Sequence, residues 1–246
     1  ASLLEEALLP AQAVAALRRL LTAEERDGAT AIARRKQRQK ARRAAVSLVV
    51  TLVRHAESEN NAEKGSRVAD PPLTAKGRRQ AELTAQRVAA DVAAATAAEK
   101  EAMASVPAVE VWTSAFVRCC QTTDAVLRCL DAASPVTTVV RRDLFELHGP
   151  VEKTHGDEIT EASVAPCRTW QQVLEAHGTA DRPLALGPGI GDASAGWYDG
   201  AGVETEAAAE QRADSLRAEL LRRADEAAAE AAPRQLVIVS HCMFLS

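Results

Sequence analysis

Apolar runs of strand length alternate with helical stretches from residue 46 to residue 240, and this alternation most constrains the fold. Strands separated by helices make a mainly parallel sheet, with helices on both faces. The patterning predicts strands over 46–54, 108–113, 136–141 and 235–240. It predicts helices over about 75–103, 115–130 and 204–231, and a loop-rich insertion from Asp143 to about Val203. Pro71, Pro72 and Pro107 fall at element boundaries, where a missing N–H does no damage. The expected architecture is a three-layer α/β/α domain over 46–246. A helical extension over 1–45 precedes it, with Leu3, Leu4, Ala7 and Leu8, then Val14, Leu17, Leu20 and Leu21, at helical spacing.

Composition narrows the setting. The chain has 246 residues and is 47% apolar, enough for one large core, while aromatics make up only 3%. Alanine, leucine and valine must therefore fill the interior. A net charge of −4 gives no overall pull toward nucleic acid or anionic membrane. No run reaches the roughly 20 apolar residues of a membrane helix, so no membrane partner is expected. Five cysteines at 119, 120, 129, 167 and 242 lack C-x-x-C spacing and fit reduced thiols in an intracellular, most simply cytoplasmic, protein. Import into a plastid or mitochondrion stays open, because the chain does not begin with Met. Seven of the ten residues 34–43 are basic, the one hint of a nucleic-acid partner. A solvated helix face balancing neighbouring acids is the favoured reading of that run.

The polar residues fall at the strand ends, where open α/β sheets place ligands. The first strand delivers Arg54 and His55, with Asn61 in the loop that follows; the last delivers His241. Arg118 stands about one turn into the helix after the second strand, and Glu146 follows the third. Two arginines, two histidines, an amide and a carboxyl suit a phosphoryl group. Guanidinium forks bind its oxygens, a neutral imidazole attacks phosphorus, and a carboxylic acid protonates the leaving alkoxide.

Four segments in order resemble the histidine phosphatase superfamily, the phosphoglycerate-mutase-like proteins. Arg54-His55-Ala56-Glu57-Ser58 is similar to its Arg-His-Gly-Glu-Ser element, with Asn61 at the place of a phosphate-binding Asn. Leu73-Thr74-Ala75-Lys76-Gly77 with Gln80-Ala81 resembles its Leu-Thr-x-x-Gly-x-x-Gln-Ala segment. Ser114 through Thr122 is similar to Ser-Pro-x-x-Arg-Ala-x-Gln-Thr, and Ser240-His241 to the closing Ser-His-Gly. Gly196-Trp197-Tyr198 resembles a phosphatase branch. The likeness spans residues 48–246 and leaves the first 45 unexplained.

The resemblance implies roles. His55 would attack phosphorus and form a phosphohistidine, its other ring nitrogen held by a backbone carbonyl. Arg54, Asn61, Arg118 and His241 would hold the phosphoryl oxygens, and Glu146 would be the general acid, which needs a raised pKa. No metal and no cofactor are required. The expected activity is metal-independent hydrolysis of a small phosphorylated metabolite. A phosphoglycerate-type mutase is the near alternative, disfavoured because Leu147–Asp157 lacks the Tyr and Lys pattern such mutases use. A catalytically idle phospho-ligand or partner-binding protein is the third.

Ala56, Cys242 and the basic N-terminal arm motivate that idle reading. Ala56 stands for a Gly, at a cost if the backbone there needs positive φ. Cys242 replaces another Gly, and Ala115 a helix-initiating Pro. The chain stops at Ser246, where the family continues with a helix, so truncation is expected. Asp143, Glu152 and Glu158 compete with Glu146 for the acid role, and His148 and His155 read as loop residues. Gly187-Pro188-Gly189-Ile190-Gly191 reads as a loop, and Cys119-Cys120 as diverging side chains on a helix. Trp112, Phe116 and Phe145 read as core.

Overall fold

The computed structural model describes residues 48–63, 67–100, 109–130, 135–153, 158–160, 163–198, 202–230 and 234–241. The expected extension over 1–45, its basic run 34–43, His155 and Cys242 lie outside the described residues.

In chain order the elements are β1 (Leu48–Arg54), α1 (Glu59–Ala62), α2 (Ala75–Lys100), β2 (Val109–Ser114), α3 (Val117–Cys129) and β3 (Val136–Arg141). A 3-10 turn (Arg142–Leu144) follows, then α4 (Trp170–Ala176), β4 (Gly178–Thr179), β5 (Arg182–Leu186), α5 (Glu206–Ala229) and β6 (Arg234–Ser240). The sheet order is β1-β6-β2-β3-β5-β4. Among the described strands, every pairing is parallel except the short β4–β5 ladder. The last strand in sequence thus lies between β1 and β2.

Alternation along the strands builds two apolar layers. Val237 and Val239 of β6 pack with α2 and α3, whereas Leu236 and Ile238 face Leu216 of α5. On α2, Ala81, Ala85, Val88 and Val92 form one buried stripe at helical spacing. Trp112 and Phe116 are buried as expected, and Phe145 is half-buried against the core.

The insertion departs from expectation. It contains α4, β4 and β5, and β5 joins the sheet beside β3, Val139 pairing with Ala185. The apolar part of β5 is only Leu184-Ala185-Leu186, flanked by Pro183 and by Gly187-Pro188, too short and interrupted for a period-2 signal. Gly187–Gly191 is a turn, as expected. Among the described residues, no helix is long and apolar enough to cross a membrane.

Candidate active site

Strand register fixes the centre. Arg54 pairs with Ser240 in the parallel β1–β6 ladder, so His55 and His241 each stand one residue beyond it. The His55 N–H donates to the Ser240 carbonyl at 2.9 Å. Ser240 in turn donates its hydroxyl to the Leu144 carbonyl, tying the segment before Glu146 to the same sheet edge.

Arg118, in the first turn of α3, joins the two rings. Its Nε–H donates to His55 Nε2 at 3.3 Å, and an Nη2–H to His241 Nδ1 at 3.3 Å. Its Nη1 is buried with no hydrogen-bond partner among the described residues, and its guanidinium carbon lies 4.0 Å from the Phe116 ring centre. A buried cationic N–H left unpaired is costly, and an anionic oxygen would satisfy it.

The ring nitrogens have distinct tasks. His55 Nδ1–H donates to the Ala56 carbonyl at 2.7 Å, which puts the lone pair on Nε2, toward Arg118. His241 accepts at Nδ1 and so donates from Nε2 to the Ser114 hydroxyl at 3.1 Å, with Cys119 Sγ 3.4 Å away. Burial, reinforced by the Arg118 charge, lowers His55 to about 4. Burial and then Arg118 also hold His241 well below its ordinary value. Both imidazoles are neutral near pH 7.

Glu146 completes the group. Its Oε2 lies 3.7 Å from His241 Nδ1, and burial raises its pKa against the pull of Arg118, the Leu147 N–H, Arg67 and Arg54. The competing carboxylates are placed elsewhere: Asp143 pairs with Arg141, and Glu152 and Glu158 are exposed. Arg54 is exposed at the end of β1 and close enough to lower both histidines. Asn61 is exposed on α1, where its Oδ1 accepts from the Ser58 N–H and hydroxyl. His148 is turned away, its ring against the Glu204 carbonyl.

The motif residues hold the loop after His55 in place. The Ala56 N–H donates to Thr122 Oγ1, which itself donates to the Arg118 carbonyl. Gln80 accepts the Glu57 N–H and Gln121 the Leu73 N–H. Thr74 reaches both the Glu57 carbonyl and its carboxylate. Gly77 is required by close approach, since a Cβ there would lie 1.9 Å from the Glu57 carbonyl oxygen. Ala56 does not have positive φ, so its methyl carries no backbone strain.

Three supporting residues escaped the sequence reading. Asp70 accepts the Val117 N–H at 2.7 Å, capping the helix that carries Arg118 from another loop, and pairs with Arg168 at 3.5 Å. Arg168 also donates to the Ala115 carbonyl, at the place of the missing Pro. Arg212 of α5 donates to the Asp143 and Phe145 carbonyls, pairs with Glu204 and stacks on Phe145, fixing the turn before Glu146. No local signal marks them. An acid in a Pro-bordered loop and an arginine on a charge-rich helix are ordinary in sequence.

The histidine phosphatase superfamily (branch 1) matches the chain over residues 50–183. The chain belongs to this superfamily. No curated protein matches it. Among solved structures, an alpha-ribazole-5'-P phosphatase of Escherichia coli is 21% identical, with a TM-score of 0.42, covering 80% of this chain and 74% of that one. The ecdysone phosphate phosphatase of Bombix mori is 16% identical, with a TM-score of 0.43, covering 80% and 73%. An Entamoeba histolytica phosphoserine phosphatase is 16% identical, with a TM-score of 0.37, covering 80% and 76%.

Histidine phosphatase membership gives the central histidine pair its context. His55, Glu146 and His241 are also a set of donors that could hold a metal ion, their ligand atoms lying within 4.8 Å of one another. Arg118 already donates to a nitrogen of each histidine, and its charge with that of Arg54 opposes a cation. The donor set fits an anion better.

Proposed function

We propose that this histidine phosphatase superfamily member is a metal-independent phosphomonoester hydrolase that works through a phosphohistidine on a small phosphorylated metabolite. The observation that carries the reading is Arg118, held between two neutral imidazoles with a buried Nη1–H that has no partner among the described residues.

His55 Nε2 attacks phosphorus with its lone pair as the bond from phosphorus to the leaving oxygen breaks. Glu146 gives its proton to that oxygen. Arg118, Arg54 and Asn61 hold the phosphoryl oxygens and stabilise the charge spread over them, and His241 joins them in the tautomer that carries its proton on Nδ1. In the second half, Glu146 as carboxylate takes a proton from water, the water oxygen bonds to phosphorus, and the P–N bond breaks to restore His55. Only water is consumed. Arg118 supplies positive charge where other phosphoryl-transfer sites use Mg²⁺.

The test is hydrolysis of an aryl phosphate in EDTA by wild type and His55→Ala. Turnover in the wild type that falls by about 10³ or more in a folded His55→Ala variant supports the reading, by the scale set for loss of a catalytic nucleophile. Equal background rates in the two would overturn it. Phosphate released to water separates hydrolysis from transfer to a second hydroxyl.

A further inference from the structure

Arg67 lies outside the residues assigned above and is exposed. Its backbone is held from two sides. Its N–H donates to the Lys153 carbonyl at 2.8 Å, and its own carbonyl accepts the Lys153 N–H at 3.1 Å. The next residue, Val68, is gripped by the Asn60 side chain, whose Oδ1 accepts its N–H at 3.0 Å and whose Nδ2 donates to its carbonyl at 2.8 Å. Backbone fixed this way needs no further ordering on binding, so only the rotamers of the side chain are frozen.

The bridge also places charge. In a reciprocally bonded antiparallel pair both side chains leave the same face, so Arg67 and Lys153 set two cations side by side. Such a like-charge pair weakens a bridge, and an anion beside it reverses the effect. Lys153 is half-buried, and Arg67 is the exposed cation of the two. Among the described residues, Arg67 forms no ion pair.

Arg67 is tied to both ends of the pocket. Its partner Lys153 follows Glu146 by a short loop, and Arg67 itself leads into Asp70, the cap of the Arg118 helix. Its charge acts on Glu146 and on Arg118. With Arg118 occupied by the transferring phosphoryl group, a second cation whose charge reaches the acid is left for what the leaving group carries.

We infer that the substrate bears a second anionic group, a carboxylate or another phosphate, on its leaving-group side, and that Arg67 is the residue that reads it. This rests on the hydrolase reading above. It sets the substrate class as a phosphorylated acid or bisphosphate rather than the monophosphate of a neutral alcohol.

The experiment compares phenyl phosphate with 3- and 4-carboxyphenyl phosphate, 4-carbamoylphenyl phosphate as neutral control, and 1,4-phenylene bisphosphate. Turnover is measured on wild type, Arg67→Gln and Arg67→Lys; binding of the same compounds to His55→Ala is measured by calorimetry, with and without Arg67→Gln. The expected result is a preference in kcat/KM and in affinity of roughly tenfold or more for a doubly anionic compound, the scale of one charge-assisted contact. It should sit mainly in KM, collapse toward one in Arg67→Gln and return in part with Arg67→Lys. The carboxylate and bisphosphate arms tell which anion is read. Turnover without preference would overturn this inference and leave the hydrolase standing. Preferential binding without turnover would do the reverse. Neither binding nor turnover would overturn both.

Discussion

His55 and His241 meet edge to face with ring centres 5.1 Å apart, each one residue past the paired positions Arg54 and Ser240. The nucleophile candidate and its neighbour are thus set by strand register, and a slip of one residue would separate them. Two imidazoles this close to each other and to Arg118 stay neutral, which a nucleophilic nitrogen requires.

That neutrality fixes the pH behaviour. Protonation of His55, whose pKa is lowered to about 4, limits kcat/KM on the acid side, and ionisation of Glu146, raised by burial, limits it on the alkaline side. The expected profile is a bell whose acid limb falls near pH 4, and Glu146→Gln should remove its alkaline limb. Rates measured from pH 3.5 to 8 on wild type and variant check this.

Stability should carry the same signature. Because His55 is lowered in the fold, the unfolded chain binds the extra proton between about pH 6.5 and 4, so stability falls as pH drops through that window. The full shift is worth roughly 3 kcal/mol by linkage. His241 acts in the same direction, whereas Glu146 and Asp70, both raised, act oppositely and weaken the fold as pH rises through their range. Urea midpoints at pH 7.5 and 5 should differ less in His55→Ala than in wild type.

Gly77→Ala should be among the most damaging single methyls in the chain. Its Cβ would meet the Glu57 carbonyl oxygen at 1.9 Å, so α2 must withdraw from the loop that follows His55. A loss of about 2–4 kcal/mol is expected for such overpacking against backbone. Urea unfolding measures it, and residual activity should fall with the displaced loop.

Arg212→Ala should act on the acid at a distance. Losing its bonds to the Asp143 and Phe145 carbonyls and its stack on Phe145 releases the turn before Glu146. Hydrolysis of esters with poor leaving groups, which need the proton, should drop more than hydrolysis of activated aryl esters. Steady-state rates across a series of leaving-group pKa values give the comparison.

Asp70→Ala removes the cap on the Val117 N–H, at a cost of about 1 kcal/mol for a helix N-cap. Because α3 carries Arg118 beside that end, the inhibition constant for inorganic phosphate should rise. Asp70→Asn keeps an acceptor and should restore both stability and phosphate affinity, since the carboxylate charge it removes near Arg118 does not favour an anion. Competition assays on both variants separate the two effects.

The histidines, Arg118 and Glu146 were legible because each sits beside a long periodic element, and strand ends define where such residues meet. The parallel sheet was legible for the same reason. Strand β5 was not, because its apolar run is brief and bordered by prolines and glycines that read as turn. The roles of Asp70, Arg168 and Arg212 were equally hidden. Their meaning lies in contacts with carbonyls and N–H groups far along the chain, and backbone partners leave no trace in side-chain pattern. Asn61 illustrates the converse: a motif position was visible, but its described contacts are with Ser58, in the cap of α1.

The insertion of β6 between β1 and β2 also orders events in time. Two strands near opposite ends of the described chain must become neighbours before His241 can face His55, a closure with a large loop-entropy cost. In a growing polypeptide His55 emerges long before His241, so the paired site exists only once β6 has joined the sheet, and any reactivity that needs both histidines reports on that closure.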